Sequence, residues 1–462
     1  MRNRHCLQCL EKQRQIDDLK EQIVLLKARL RYQERTAKEG LFGSSTPSSK
    51  VPVKANTLAE RQKRRGGGKL GHRGHGRGTV SAEEADRVEA VAAPDRCPDC
   101  GTVLESKGTR QRTVCDCRPM KVERIVYGLE RKQCPQCGRV VQARAPGVLP
   151  KCLYGNQLLA HVAVQHYLYG ATLGQIEKQT GIGYSSLLDA LHQLARRLKD
   201  VPEKLAEAYR QAPVKHADET GWRTDGQNGY AWLFCTKDIS LFQFRKTRAA
   251  KVARHIFGEK PLPGVLVVDR YAAYNKTPCF LQYCYAHLLR TVQDLEKNFP
   301  GNAEVKSFVE ALAPLLAAAM SLRSLLITDR QFKRQARRIK NRIIQTVQRH
   351  ARHPAIQTVQ DIFRQNAHRL YHWADDRNVP ADNNLAERDL RPLVIARKIS
   401  FGSQSDAGAN TRQTLMTILH TLKKRTPNVA QAFKAALDRL AQDNALDPSE
   451  ILFPSDSSRS PP

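Results

Sequence analysis

Gly264-Val265-Leu266-Val267-Val268-Asp269 is a short, β-branched, apolar run closed by an acid. Such a run fits a strand buried on both faces, in the middle of a sheet, that presents a carboxylate where it ends. Upstream, Val214-Lys215-His216-Ala217-Asp218-Glu219-Thr220 leads into the turn-forming cluster Thr224-Asp225-Gly226-Gln227-Asn228-Gly229, and the aromatics Tyr230, Trp232 and Phe234 then alternate. Two strands joined by that turn make a hairpin, with Asp218 on the first of them. Acids on neighbouring strands can converge on one site. One acid among 45 Asp and Glu means little by itself, and the pair matters because of its context.

A third acid comes much later, in Asp382-Asn383-Asn384-Leu385-Ala386-Glu387-Arg388-Asp389-Leu390-Arg391-Pro392. Asp382 or Asn383 is suited to cap a helix whose first turns carry Glu387, and Pro392 is expected to limit or kink its far end. A carboxylate from a helix start, facing two strand acids, completes an all-oxygen site for Mg²⁺ or Mn²⁺. Two such ions about 3.5 to 4 Å apart can activate a water or 3′-hydroxyl and stabilise a leaving 3′-oxygen. Glu219, Asp225 and Asp389 stay open as rivals to the trio Asp218, Asp269 and Glu387. The chain between Asp269 and Glu387 exceeds what one strand and one helix require, and its pattern from about 300 to 370 is helical, so an inserted helical subdomain is expected. Within it, Arg330 to Gln360 holds nine Lys or Arg and no acid. Arg334 and Arg338 lie on its basic stripe, which reads either as a solvated face or as a contact for DNA backbone. Arg388, Arg391, Arg397 and Lys398 flank Glu387 closely enough to hold scissile phosphates.

Toward the N-terminus, Thr172 to Gly183 followed by Ser185-Ser186-Leu187-Leu188 reads as helix, glycine turn, second helix. That pattern suits a DNA-reading helix-turn-helix and equally a plain helical hairpin. Cys97-Pro98-Asp99-Cys100-Gly101 and Cys134-Pro135-Gln136-Cys137-Gly138 repeat one phrase across a spacer of 33 residues. A CxxCG turn offers two thiolates from one tight loop, so Cys97, Cys100, Cys134 and Cys137 read as a closed, structural Zn²⁺ set. Short strands are expected in the spacer, for example at Arg124-Ile125-Val126-Tyr127. Cys115 and Cys117 compete for the same metal, and Cys6 and Cys9 have no evident partner pair. Paired cysteines at short spacing, in a long chain with 12 of them, indicate metal rather than disulfides in a reducing compartment.

Before the first knuckle, RQKRRGGGKLGHRGHGRG from Arg61 to Gly78 carries seven Lys or Arg, seven Gly and no acid. Its Arg64, Arg65, Lys69, Arg73 and Arg77 can follow a phosphate backbone and order only on binding; His72 and His75 read as parts of that arm rather than as ligands. Gly40 to Lys54 is a linker by composition. Ile16, Leu19, Ile23, Leu26 and Leu30 step by three and four along one helical seam, the repeat of a short coiled coil that pairs two chains, or of a lone amphipathic helix.

The chain's net charge of +31 calls for a polyanionic partner, since each phosphate contact made by Lys or Arg releases counterions. No run approaching about 18 apolar residues is evident, and the start has no signal-peptide core. A cytoplasmic, nucleoid-associated protein with double-stranded DNA and no membrane as partner is therefore expected.

The ordered phrases GHxGH, paired CPxCG, HADET, VVDRYAAYN, CYAHLLR and NNLAERDLRPLVIARKISFGS resemble the transposases of the insertion sequence 66 family, from the N-terminal coiled-coil segment to about Phe433. The resemblance implies an RNase H-like fold of the DDE type with Asp218, Asp269 and Glu387 as its triad. It further implies terminal inverted repeats as substrate and small accessory proteins encoded by the same element. It places Cys284 and His287 on a recurring motif whose plain reading is packing beneath the site.

The expected architecture is multidomain α/β: a coiled-coil helix over 1–40, a basic glycine-rich linker over 41–85, a zinc ribbon over 86–150 and a helix-turn-helix-like domain over 151–210. An RNase H-like core over 211–299 and 373–440 follows, split by the helical insertion over 300–372, with a tail over 441–462. The expected activity is metal-dependent strand cleavage followed by 3′-hydroxyl strand transfer, in a dimer or larger synaptic complex. The alternatives are a zinc-dependent DNA-binding regulator without catalysis and an RNase H-like nuclease of repair.

Overall fold

The computed structural model describes residues 121–454 and, before them, 11, 12, 15, 16, 18–24, 26, 27, 30, 81, 83–85, 88, 95, 96, 99–103 and 105. The chain divides into two compact units, Pro52–Lys121 and the remainder, Met1–Val51 with Val122–Pro462. The basic-arm residues Arg64, Arg65, Lys69, Arg73 and Arg77, with His72 and His75, lie outside the described residues, as do Cys6, Cys9, Cys97, Cys115 and Cys117.

In the smaller unit, Arg96 and Val103 form an antiparallel bridge around the first cysteine turn. In the larger unit, the described residues between 11 and 30 are helical, and the seam residues Ile16, Leu19, Ile23, Leu26 and Leu30 are all exposed. Strands β1 (Arg131–Gln133) and β2 (Val140–Gln142) pair in a hairpin whose tip is the second cysteine turn. Arg124-Ile125-Val126-Tyr127, expected as strand, is not one; the pairing forms beside the turn because Cys134 and Gly138 close the loop and align only its flanks.

Helices α1 (Asn156–Ala163), α2 (Leu173–Thr180), α3 (Tyr184–Arg197) and α4 (Val201–Gln211) follow. Thr172 and Gln175 form a reciprocal capping box on α2, and Gly181, with φ of 68°, ends it in the left-handed conformation that glycine adopts without strain. The exposed start of α3 presents Tyr184, Ser185 and Ser186.

The core is a five-stranded sheet of β3 (Val214–Thr224), β4 (Gln227–Cys235), β5 (Ser240–Arg245), β6 (Val265–Val268) and β7 (Phe280–Tyr283), in the order β5-β4-β3-β6-β7. Pairs β3–β4 and β4–β5 are antiparallel, whereas β6 pairs parallel with both β3 and β7, so β4 alone runs against the other four. Asp225 and Gly226 take φ of 53° and 68° at the β3–β4 turn. Two successive left-handed residues are what a tight turn needs to match the strands' twist, and Asp-Gly suits them. Helix α5 (Lys251–Phe257) connects β5 to β6.

After β7 come α6 (Tyr285–Asn298), α7 (Ala303–Leu322), α8 (Asp329–Gln348), α9 (Pro354–Gln365) and the single turn α10 (His372–Asp375). The expected helical insertion is thus helical throughout its three long elements. Helix α7 is, against expectation, long and apolar enough to cross a membrane by length and composition alone, with mean hydropathy of 1.5. Its Val305, Leu312, Leu316 and Leu322 are buried, and its contacts run to α6 and α8.

The chain then returns to the sheet through α11 (Asn384–Ser400), α12 (Asp406–Arg425), α13 (Val429–Gln442) and α14 (Pro448–Leu452). Pro392 does not end α11, which continues to Ser400; the proline removes one N–H, while Leu390 and Leu393 on either side are buried and hold the helix in place. Helix α12 resolves the open edge of the sheet. Its Gln413, Thr417 and Thr421, four residues apart, accept the backbone N–H groups of Phe244, Phe242 and Ser240 on β5 at 3.3, 3.0 and 3.1 Å. A row of side chains thereby replaces the missing strand and protects the edge from pairing with another chain. The stretch from 441, expected as a tail, contains α14, whose Ile451 and Leu452 are buried, and Asp447 pairs with Lys204 of α4.

Candidate active site

The register of β3 on β6 sets Val214 beside Val265 and His216 beside Val267. Carried two residues further, it brings Asp218 level with Asp269, which follows the last residue of β6. Level residues on parallel neighbours point to the same face of the sheet. The same face of β3 carries His216, whose Nδ1 lies 2.9 Å from Asn383 Oδ1, and Asn383 Nδ2 donates to Ala217 O at 2.8 Å. Asn383 therefore does not cap α11 with its side chain; it fastens the start of that helix to β3. Asp382 Oδ1 accepts the Asn384 N–H instead. Glu387 lies in the first turn of α11, and so on the part of the helix that Asn383 fastens to β3.

The charges of the three acids reach one another. Burial lifts the Asp218 carboxyl well above the usual range, and the charges of Glu219, Asp269 and Glu387 add to it. Burial also raises Asp269, with Glu387 adding, while the Tyr271 N–H and the charges of Arg248 and Arg270 oppose the rise. Uncompensated carboxylates repel in a medium of low polarity, and a cation among them relieves the repulsion. Among the described residues, Glu387 Oε1 and His287 Nδ1, 3.8 Å apart, are both buried without a hydrogen-bond partner. Hard oxygen donors, crowded, short of positive charge and partly unsatisfied, fit a divalent cation.

The rivals have other engagements. Glu219 Oε1 accepts from Arg248 Nε and Nη2 at 2.9 and 2.6 Å, and its Oε2 accepts from Tyr274 Oη at 2.6 Å. Burial and then Asp269 raise its carboxyl to about 7 in spite of those partners. Asp389 pairs with Lys424 at 2.6 Å. Asp225 sits exposed in the β3–β4 turn.

Cys284 and His287 belong to the site more closely than packing requires. Their ligand atoms and that of Glu387 all lie within 4.8 Å of one another, an arrangement able to hold a metal ion. Cys284 Sγ accepts the Asn383 N–H at 3.1 Å, and burial pushes its thiol up to about 12. Burial holds His287 down to about 4, against the pull of Glu387. The spacing of Cys284 and His287 at the start of α6 was the available signal, and nothing local revealed their approach to Glu387.

Among the expected DNA contacts, Arg388, Arg391 and Lys398 are exposed on α11, and Arg334 and Arg338 on α8. Arg397 turns inward: its Nη1 donates to Thr220 Oγ1 at 3.0 Å and to Gly221 O at 2.5 Å. At the cysteine hairpin, Cys134 N–H donates to Arg139 O at 2.9 Å and Gly138 N–H to Cys134 O at 3.0 Å. The N–H groups of Cys137 and Gln136, and then the Cys137 thiol, hold the Cys134 thiol below its usual range. A turn that favours thiolate suits a soft cation such as Zn²⁺.

The family model described as Transposase IS66 family matches residues 151–411, more than half of the chain. The chain belongs to this family. Two relatives come from Sinorhizobium fredii (strain NBRC 101917 / NGR234). Uncharacterized protein y4qI is 27% identical over 418 residues, covering 81% of this chain and 76% of its own length. Uncharacterized protein y4jD is 24% identical over 387 residues, covering 73% of each. The matched span of this IS66-family chain contains Asp218, Asp269, Glu387, Cys284 and His287, and begins beyond both cysteine turns.

Proposed function

We propose that the chain is a DNA transposase that cuts at the terminal inverted repeats of its element and joins the freed 3′-hydroxyl to target DNA. Asp218, Asp269 and Glu387 hold Mg²⁺ or Mn²⁺ as a DDE centre. The observation that carries this reading is the level pairing of Asp218 with Asp269 on adjacent parallel strands, with Glu387 close enough to raise both carboxyls. A strand order in which only the second strand runs backwards supports an RNase H-like core.

Divalent cations bound there supply Lewis-acid charge for a water or 3′-hydroxyl nucleophile and for the leaving oxygen. The residues do the positioning. Asn383 locks the start of α11 to β3, so that Glu387 faces the strand acids, and Arg248 with Tyr274 fixes Glu219 behind them. The exposed Arg388, Arg391 and Lys398 flank the acids and grip phosphates there, and the basic face of α8 extends the grip along the duplex. The start of α3 enters a groove of the end sequence. The hairpin of Cys134 and Cys137 binds Zn²⁺ as a structural element, the exposed leucine seam pairs two chains, and accessory proteins of the element assist.

The test uses DNA flanking the reading frame as substrate with Mg²⁺ or Mn²⁺. Asp269→Asn should lose nicking and strand transfer while keeping end binding. A wild-type chain that binds these ends and never nicks them, under conditions where a control transposase does, overturns catalysis. Equal cleavage of unrelated duplexes points to a nuclease instead.

A further inference from the structure

A cavity of about 310 Å³ opens where α2 meets the end of α11 and the start of α12, and among the described residues no Asp or Glu lines it. In its wall stands Arg412, 7% exposed. Among the described residues this guanidinium has no carboxylate partner. It lies 5.2 Å from the Tyr167 ring and 5.3 Å from the Trp222 ring, and Nη2 lies 3.3 Å from His166 Nε2. His166 Nδ1 is 2.8 Å from the Ala171 carbonyl, which can only accept, so Nδ1 carries the proton and Nε2 is left to accept from Arg412. The neutral imidazole satisfies one N–H and leaves the positive charge uncancelled. A buried charge without an opposite partner is costly, and an incoming acceptor at this position would recover the cost.

The rim adds an independent observation. Phe401, between the lining residues Ser400 and Gly402, is 78% exposed. Its φ is 58°, a left-handed conformation rare for a bulky side chain. Gly402 follows with φ of 135°, and a Cβ there would meet Arg223 O at 2.2 Å. Ser403 N–H donates to Arg223 O at 2.9 Å, and Asp225 N–H to Ser403 O at 2.9 Å. The β3–β4 hairpin thus holds an exposed aromatic ring in a strained turn at the mouth of the cavity. Strain of this kind persists only where the surroundings enforce it, and it concentrates at functional positions.

We propose that the cavity receives one unpaired nucleotide of the DNA substrate, its base against Tyr167 and Tyr184 and its acceptor groups on Arg412, while Phe401 fills the gap left in the base stack. The inference rests on the DNA-processing reading above and deepens it. Guanidinium donors match the acceptor edges of bases, ring faces match their planes, and the acid-free lining repels no phosphate. Extrusion from a duplex costs a few kcal/mol, which a wedge and a shaped receiver offset.

The test compares the full chain's affinity for a duplex carrying a single extrahelical 2-aminopurine with that for the fully paired duplex of the same flanks. Wild type should favour the bulged duplex by about tenfold and change the 2-aminopurine fluorescence. Gly174→Trp fills the cavity from a position whose Cβ has nothing within 4 Å, and should bring bulged affinity down to the paired level with paired affinity and thermal melting unchanged. Arg412→Met and Phe401→Ala should each reduce the preference. Equal wild-type affinity for both duplexes, or a preference that survives Gly174→Trp, overturns the nucleotide cavity and leaves the DNA reading intact. Failure to bind either duplex at low salt overturns both.

Discussion

The cysteine hairpin at Cys134 and Cys137 and the proposed carboxylate centre at Asp218, Asp269 and Glu387 would each gather ligands for a cation, by opposite routes. In the hairpin, a turn of five residues sets both sulfurs and supplies the N–H groups that favour thiolate, and its strands β1 and β2 are exposed along their length. In the centre, the ligands come from two strands and a helix start, and each is fixed by groups outside its own element: β6 beside β3, Asn383 on His216, Arg248 and Tyr274 on Glu219. A local site should therefore fail alone, and an assembled site should fail or hold together with the core.

The largest expected effect is at the centre. Asp218→Asn should lower strand cleavage about a thousandfold or more, since the cation site loses a ligand worth several kcal/mol, and should raise the melting temperature of the metal-free chain by removing a repelled, buried charge. A melting temperature that falls instead would break the account of the centre as crowded with negative charge. Next, Glu219→Ala leaves Arg248 and the Tyr274 hydroxyl without their buried acceptor and should cost about 3 to 5 kcal/mol by denaturant unfolding. Glu219→Gln, which keeps an acceptor for Tyr274, should cost less.

Acid should sharpen the same contrast. His420, buried with Nε2 at 3.2 Å from Tyr167 O, is held down to about 4, chiefly by burial. An unfolded histidine binds its proton near pH 6.5. Between those values the unfolded chain takes up a proton that the folded chain refuses, so stability is complete above about pH 6.5 and falls as pH drops toward 4. His420→Gln should flatten this acid limb by up to about 3 kcal/mol; an unchanged limb would assign the acid sensitivity to His166, His216 or His287. The smallest effect belongs to the hairpin. Cys134→Ser should reduce Zn²⁺ uptake yet move the core's unfolding by less than about 0.5 kcal/mol, as a substitution remote from the core does. A collapse of core melting would show that the hairpin is no local unit.

Much of the local structure that carries the candidate site was legible in the sequence. The apolar run ending in Asp269, the Asp-Gly turn after Asp218, and Glu387 in the first turn of its helix each follow from neighbours in the chain. Other features were not. Arg397 reads as a free phosphate contact and instead bonds Thr220 and Gly221, because charge alone does not tell which way a helix face turns. Glu219 reads as a rival to Asp218 and is held by Arg248 and Tyr274. Helix α7 is apolar enough for a membrane span, and only its buried contacts with α6 and α8 assign it to the core. The stretch after residue 441 reads as tail, although Ile451 and Leu452 pack inside.

By itself, the sequence determined the elements and the chemistry each carries, because strand period, turn glycines and capping residues act over a few positions. The tertiary structure alone decided that Asp218 stands level with Asp269, that Asn383 fastens the start of the Glu387 helix to β3, and that Arg412 lines a cavity where no described acid stands. Those are matters of register and long-range packing, where residues distant in the chain meet through hydrogen bonds and burial that no local pattern encodes.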